Sequence, residues 1–303
     1  MDAITRVLEE MQSEHIDLIC KYNEPLKNHT TFKIGGEVRV MFFPQTATAV
    51  TQLCECLYRH NVTPLVVGNG SNMLASDSKH EIVVINTKDL NKISKTGEFE
   101  ITAEAGALLS KIAMFARDNE LSGIEFAHGI PGTLGGAVVM NAGAYGGEMK
   151  DVVIKTVAYS AENGMYTLSA DEHAFNYRHS YFYDNNDIIL SSVLELQKSN
   201  KDDIIKRMQK LGDARNEKQP LDLPSAGSTF KRPKEDYAAA LIDRAGLKGF
   251  AIGGAKVSEK HAGFIVNYNN ATFDEVIAVV EYVQEIVYKK NGIILELEVK
   301  VVK

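Results

Sequence analysis

The chain has 303 residues, a formal net charge of −7, and 24% charged against 45% hydrophobic side chains. That length predicts about two domains with a large core, and the composition is not that of a disordered chain. The acidic balance argues against a nucleic-acid partner, which calls for a basic face, while a few local cations suffice for a small anionic ligand. Cys20, Cys54 and Cys56 are odd in number, and Cys-x-Cys without further Cys or His pairs is not a usual zinc spacing. They read as thiols of a reducing compartment, and no metal site is expected. Met1-Asp2-Ala3-Ile4 opens no signal peptide, and no apolar run approaches the ~18 residues of a membrane span, so a cytosolic location is expected.

Along the chain, Ile4, Val7, Leu8 and Met11 predict an amphipathic helix. A strand over 38–43 ends at Pro44, a helix covers 47–60, and the apolar strand 64–67 runs into Gly68-Asn69-Gly70-Ser71-Asn72. A new segment begins near Glu81, with strands over 82–85 and 98–103 and a helix carrying Leu108, Leu109, Ile112, Ala113 and Ala116. Asn163-Gly164 between 152–160 and 165–168 signals a hairpin. A strand over 188–196 and a highly charged helix over 201–218 follow, the latter a candidate domain start. Next come a helix over 237–245 stopped by Gly246, a strand over 263–267, and a long helix opened by the capping box Thr272-Phe273-Asp274-Glu275 and closed by Asn291-Gly292. The last strand alternates Leu295, Leu297, Val299 and Val301 with Glu296, Glu298 and Lys300.

The densest signal is the run from Ile130 to Gly146. Between Gly129 and Gly147 it holds seven of the 23 glycines, mixed with Ile, Leu, Val and Met rather than with linker polars. A buried glycine-rich loop of this kind meets a ligand or a tightly packed neighbour. Gly68–Asn72 is either a strand-ending turn or an anion cradle in which backbone N–H groups, Ser71 and Asn72 converge on a phosphate. It is neither a Rossmann fingerprint, since Met73 stands at the third glycine position, nor a P-loop. Two such loops point to a dinucleotide held outside the standard folds. Tyr177-Arg178-His179-Ser180-Tyr181 is either a strand-edge surface segment or an arginine clamp for a carboxylate or phosphate. Ser225–Pro233 places Ser228 and Thr229 beside Lys231 and Arg232, either as an ordinary turn or as a loop that holds an anionic substrate with a hydroxyl for proton transfer. Glu296 and Glu298 share one face of the last strand, and spacing alone does not choose between them.

These segments resemble, in order and spacing, the UDP-N-acetylenolpyruvoylglucosamine reductases of bacterial cell-wall synthesis, known as MurB. The resemblance rests on Thr30–Gly36, Gly68–Asn72, Ile130–Gly146, Tyr177-Arg178, Lys218–Leu221 with Pro224–Pro233, and Leu295–Lys300, and it is to the type II subgroup. It implies an α+β fold. Two α+β subdomains of the vanillyl-alcohol oxidase and cytochrome-hydroxylase (PCMH) type would bind FAD non-covalently, over 1–80 and 81–198. A C-terminal α+β domain over 199–303 would bind substrate, with the strand 293–303 returning to the first region. The implied reaction is NADPH-dependent reduction of UDP-N-acetylglucosamine enolpyruvate to UDP-N-acetylmuramate, with hydride to C3 and a proton to C2. The implied FAD contacts are Gly68, Asn69, Gly70, Ser71, Asn72, Ile130, Pro131, Gly132, Thr133, Gly135, Gly136, Asn141, Ala142 and Gly143. Arg178 and Glu298 would stabilise the charge that grows beside the substrate carboxylate, Glu298 as a protonated donor in a dry site. Ser228 would give the proton to C2, assisted by Lys218 or Lys231, while Tyr177, Lys218, Lys231 and Arg232 would meet the sugar and diphosphate. The alternative is another FAD oxidase or dehydrogenase of the same superfamily acting on an alcohol or sugar.

Overall fold

In the computed structural model, which describes residues 2–14 and 18–303, the Asp2 carboxylate accepts the Thr5 N–H and opens α1 (Ala3–Ser13), whose apolar stripe buries Ile4, Val7 and Met11. Thr46 caps α2 (Ala47–Arg59) in the same way, and α2 buries Val50, Leu53 and Leu57. Both stripes share a core with Val40, Phe42, Val83 and Ile85. Those four come from the strands Glu37–Phe42 and His80–Asn86, which lie centrally in a four-stranded sheet flanked by Cys20–Pro25 and by Leu65–Val67.

By compactness the chain divides into two units, each assembled from three stretches: Met1–Tyr22, Val40–Asn69 and Ile82–Asp213 in the first, and Asn23–Arg39, Gly70–Glu81 and Ala214–Lys303 in the second. The first unit also holds a five-stranded antiparallel sheet, in the order Gly164–Ser169, Val153–Ser160, Ile188–Glu195, Glu100–Glu104, Ile93–Lys95. Its core joins Ile101, Ala103 and Leu194 to α3 (Leu109–Asp118) and to α4 (Leu134–Val139). α4 lies inside the glycine run: Leu134, Gly135, Ala137 and Val138 are buried, so the run is not a loop throughout. The apolar residues win there because six helical residues are short enough to tolerate the entropy of two glycines.

α5 (Lys201–Lys218) carries the chain from the first unit into the second. There α6 (Ala238–Arg244) and α7 (Phe273–Asn291) pack with a three-stranded antiparallel sheet of Ala251–Ile252, Ala255–Val257 and Ile265–Asn267 around Phe32, Ile34, Leu241, Val279, Val283 and Leu295. The Thr272/Glu275 capping box of α7 is formed, and Gly292 closes the helix in the left-handed conformation. The last strand differs from its expected length. Lys300–Val302 pairs in parallel with Met73–Ala75, whereas Leu297 makes only an isolated bridge to Phe230. Residues 296–298 bond to 229–231, and from Lys300 the chain passes to 72–75, so the apolar alternation of the sequence does not become a strict alternation of burial. Alternation reports facing, and a continuous ladder needs a single partner.

Candidate active site

In the first unit the glycine run is zipped onto residues 105–109. Leu109 N–H donates to Gly132 O, Leu134 N–H to Ala107 O at 2.9 Å, and Gly135 N–H to Ala105 O at 2.8 Å. Asn69 Nδ2 donates to Pro131 O at 2.6 Å, which joins the end of the Gly68–Asn72 turn to the run across 62 positions of chain. Gly68 is required at this junction: a Cβ there would lie 2.1 Å from Thr133 Oγ1. Thr133 is buried, and among the described residues its Oγ1 is one of the buried side-chain oxygens with no hydrogen-bond partner. A buried hydroxyl without a partner costs about 1–3 kcal/mol, so its place between two glycine turns fits a donor awaiting a ligand oxygen. Asn141 is committed otherwise. Its Nδ2 donates to Glu148 Oε2 and Asn176 O, and its Oδ1 accepts the Lys150 N–H, so the side chain ties the run to the Asn176 turn. Asn176 and His179 bridge that turn and set Tyr177 and Arg178 at its tip. Arg178 has φ +52°, donates from Nη2 to Gly143 O at 3.4 Å and stacks 5.2 Å from the Tyr177 ring. Ser180 Oγ anchors the far side on Val139 O at 2.9 Å. The structure therefore brings Gly68, Asn69, Pro131, Thr133, Asn141, Gly143, Tyr177 and Arg178 into one neighbourhood of the first unit.

In the second unit Thr229, the residue after Ser228, meets Glu298 through the backbone. Glu298 N–H donates to Thr229 O at 2.9 Å, and Lys231 N–H donates to Glu296 O at 2.8 Å. Asn72 Nδ2 donates to Glu298 O at 2.9 Å, and Lys300 N–H to Asn72 O at 2.9 Å. Gly70, with φ +57°, sits where a Cβ would be 2.2 Å from His29 O, and its own O accepts the Thr31 N–H. Thr31 Oγ1 in turn donates to Ser225 O at 2.6 Å. Thr229 is buried and donates its N–H to Gly263 O, so the stretch after Ser228 is fixed while Ser228 itself is half-buried. The two glutamates are distinguished by exposure. The Glu296 side chain is 74% exposed and pairs with Lys231 at 3.6 Å, whereas Glu298 is half-buried. Arg232 lies 3.8 Å from the exposed Tyr237 ring, and Lys218 is exposed at the end of α5.

Two features were not singled out as site residues from the sequence. Gln219 Oε1, next to Lys218, is buried with no partner among the described residues. The turn ending at Phe264 supplies Gly263 O to Thr229, and His261 Nδ1 accepts the Gly263 N–H at 3.2 Å. Burial, with Lys248 nearby, pushes the His261 imidazole down, which suits an acceptor ring.

Against known proteins, residues 38–167 match a family described as FAD binding domain, and residues 219–302 match the UDP-N-acetylenolpyruvoylglucosamine reductase C-terminal domain. A UDP-N-acetylenolpyruvoylglucosamine reductase of Caldanaerobacter subterraneus subsp. tengcongensis is 49% identical over 280 residues, 92% of each chain. The chain belongs to the UDP-N-acetylenolpyruvoylglucosamine reductase family. A second member, from Limosilactobacillus reuteri, is 43% identical and covers 97% of this chain and 99% of its own. The crystal structure of the family's enzyme from Thermus caldophilus superposes with a TM-score of 0.81 at 32% identity, covering 95% of this chain and 99% of that one. Alkyldihydroxyacetonephosphate synthase, 16% identical with a TM-score of 0.51 over 64% of this chain, shares the fold alone. The fold is thus α+β, a PCMH-type FAD-binding domain joined to the C-terminal domain of this reductase family, and the chain is a flavin oxidoreductase. The glycine junction and the unpartnered Thr133 hydroxyl fit FAD.

Proposed function

We propose that this chain reduces UDP-N-acetylglucosamine enolpyruvate to UDP-N-acetylmuramate for peptidoglycan synthesis, with NADPH as hydride donor. FAD, when bound, supplies the two-electron hydride chemistry. Gly68 and Asn69, Gly70–Asn72 and the run from Ile130 to Gly143 would hold it, with the Thr133 hydroxyl as a direct donor and Asn141 acting through the turn it ties down. As C3 of the enol ether gains hydride, negative charge grows at C2 and its carboxylate. Arg178, aimed by a left-handed backbone and its Gly143 contact, is a preorganised cation for that charge. Glu298 donates a hydrogen bond to it, and Ser228 holds the proton destined for C2, with Lys218 or Lys231 lowering the cost of losing it. Lys231 exchanges its exposed partner Glu296 for the diphosphate, which Arg232 and Tyr177 also meet.

The observation that carries this reading is the Thr229–Glu298 backbone bond, which supports it by holding the residue after Ser228 against Glu298 in a chain of this family. The functional division over 1–80, 81–198 and 199–303 is part of the proposal, and the pairing of Lys300–Val302 with Met73–Ala75 supports the return of the C-terminus to the early region. Three thiols outside any disulfide, together with no described helix long and apolar enough to cross a membrane, support a cytosolic setting. Ser228→Ala should leave NADPH reduction of the flavin within about twofold of normal. It should slow reoxidation by the enolpyruvyl nucleotide by on the order of 10²-fold or more. Equal losses in both half-reactions would remove Ser228 from the role.

A further inference from the structure

α1 and α2 bring together three groups that the flavin chemistry does not use. Cys56 lies in the last turn of α2, His60 follows four residues later as the C-cap of that helix, and Glu10 reaches them from α1. Cys56 Sγ, a His60 ring nitrogen and a Glu10 carboxylate oxygen all lie within 4.8 Å of one another. We propose that Glu10, Cys56 and His60 form a three-ligand site for a borderline divalent transition metal of the Zn²⁺ class, with water as fourth ligand.

The donor set is thiolate, imidazole and carboxylate, the combination that Zn²⁺ takes at about 2.0–2.3 Å from each ligand. To reach it the Cys56 sulfur closes in, while the His60 and Glu10 atoms part to admit the ion. His60 Nε2 already makes a short contact with Glu10 Oε2, so an ion takes the place of the proton between them. The Cys56 thiol donates to Val7 O at 3.6 Å, a weak bond, and its proton leaves to solvent when the ion binds. Arg59 bonds the other Glu10 oxygen and both oxygens of Glu14. It thereby orients the ligating carboxylate from outside, as partners of metal ligands do. Cys56 is fully buried while Glu10 and His60 are partly exposed, so the ion enters from the solvent side with the sulfur at the bottom. Cys54 belongs to a different environment: burial pushes its thiol up to about 12, and it takes no part. The relevant spacing is therefore Cys-x-x-x-His across the C-terminal end of one helix, completed by a carboxylate from another. Bound metal would staple α1 to α2.

The test is a Co²⁺ titration of the FAD-loaded protein, read at wavelengths beyond the flavin absorption. One Co²⁺ per chain should give the intense ligand-field bands of a tetrahedral thiolate site. Excess Zn²⁺ should erase them and raise the thermal midpoint. Cys56→Ser and His60→Gln should abolish the bands with flavin content and turnover unchanged. Cys20→Ser should keep them, and Glu10→Gln, the mildest change, should weaken binding by at least about tenfold. Absence of the bands in the unaltered protein would overturn the proposal. So would bands that persist in Cys56→Ser, or in both His60→Gln and Glu10→Gln should the cysteine variant fail to fold.

Discussion

Thr133 is the residue whose chemistry is most exposed to a simple test. Its Oγ1 has no partner among the described residues, so deleting it costs the fold little and the cofactor site much. Thr133→Val should leave the urea unfolding midpoint of flavin-free protein nearly unchanged, while equilibrium dialysis shows FAD affinity lowered about tenfold, or about 1.4 kcal/mol. Gly68→Ala should be harsher, because the new methyl would lie 2.1 Å from that same hydroxyl. Protein purified with this change should show a clearly reduced flavin-to-protein absorbance ratio. At the other end of the chemistry, Glu298→Gln should cut turnover on the order of 10²-fold, while Glu296→Gln stays within a few-fold, because Glu296 faces water. The reverse ranking in steady-state rates would assign the role to the other carboxylate. Residue types and spacing made the glycine run, Ser228 and the two glutamates legible as candidates. That the Thr133 hydroxyl lacks a partner among the described residues, that Asn141 is engaged by Glu148, Asn176 and Lys150, and that Gln219 Oε1 is buried are properties of folded surroundings and leave no trace in spacing.

At the scale of elements, legibility followed the strength of local chemistry. α7 announces itself by the Thr272/Glu275 box and Gly292, and both ends form as expected. Thr272→Ala should cost about 1 kcal/mol, visible as a lower thermal midpoint, since Thr272 Oγ1 caps the Glu275 N–H. Glu275 also accepts the Gly254 N–H, so Glu275→Ala should cost more by loosening the 253–254 turn as well. Short elements were the ones missed. α4 is hidden by its glycines, Cys20–Pro25 has a run of three exposed residues and no alternation, and the pairs around 121–122 and 197–198 are two residues long. The segment 295–299 shows the converse, since strong alternation there marks facing without a continuous strand.

For the whole molecule, local periodicity predicts elements in order but cannot show that each compact unit is assembled from three separate stretches. That arrangement depends on contacts across long sequence separations, such as Met73–Ala75 with Lys300–Val302. It also places a buried polar chain inside the five-stranded sheet. His173 Nε2 meets Thr156 Oγ1, which meets Ser192 Oγ, and His173 Nδ1 meets Ser169 O. Burial is the main cause that pushes the His173 imidazole below its ordinary value of 6.5. The folded state therefore keeps the ring neutral at a pH where the unfolded chain takes up a proton. The His173 contribution to stability is fully present above about pH 6.5 and is lost as pH drops from there toward the folded-state value. Urea midpoints measured across pH 5–7 should show that decline, and His173→Gln, weaker at every pH, should show a shallower one.

The central claim is that one flavin site takes hydride from NADPH and passes it to an enolpyruvyl nucleotide. Its most direct test is the anaerobic absorbance spectrum of the purified protein. The account predicts oxidised-flavin bands that bleach on adding NADPH and return in full on adding UDP-N-acetylglucosamine enolpyruvate. A colourless protein, or flavin that stays bleached in the presence of the nucleotide, would contradict it.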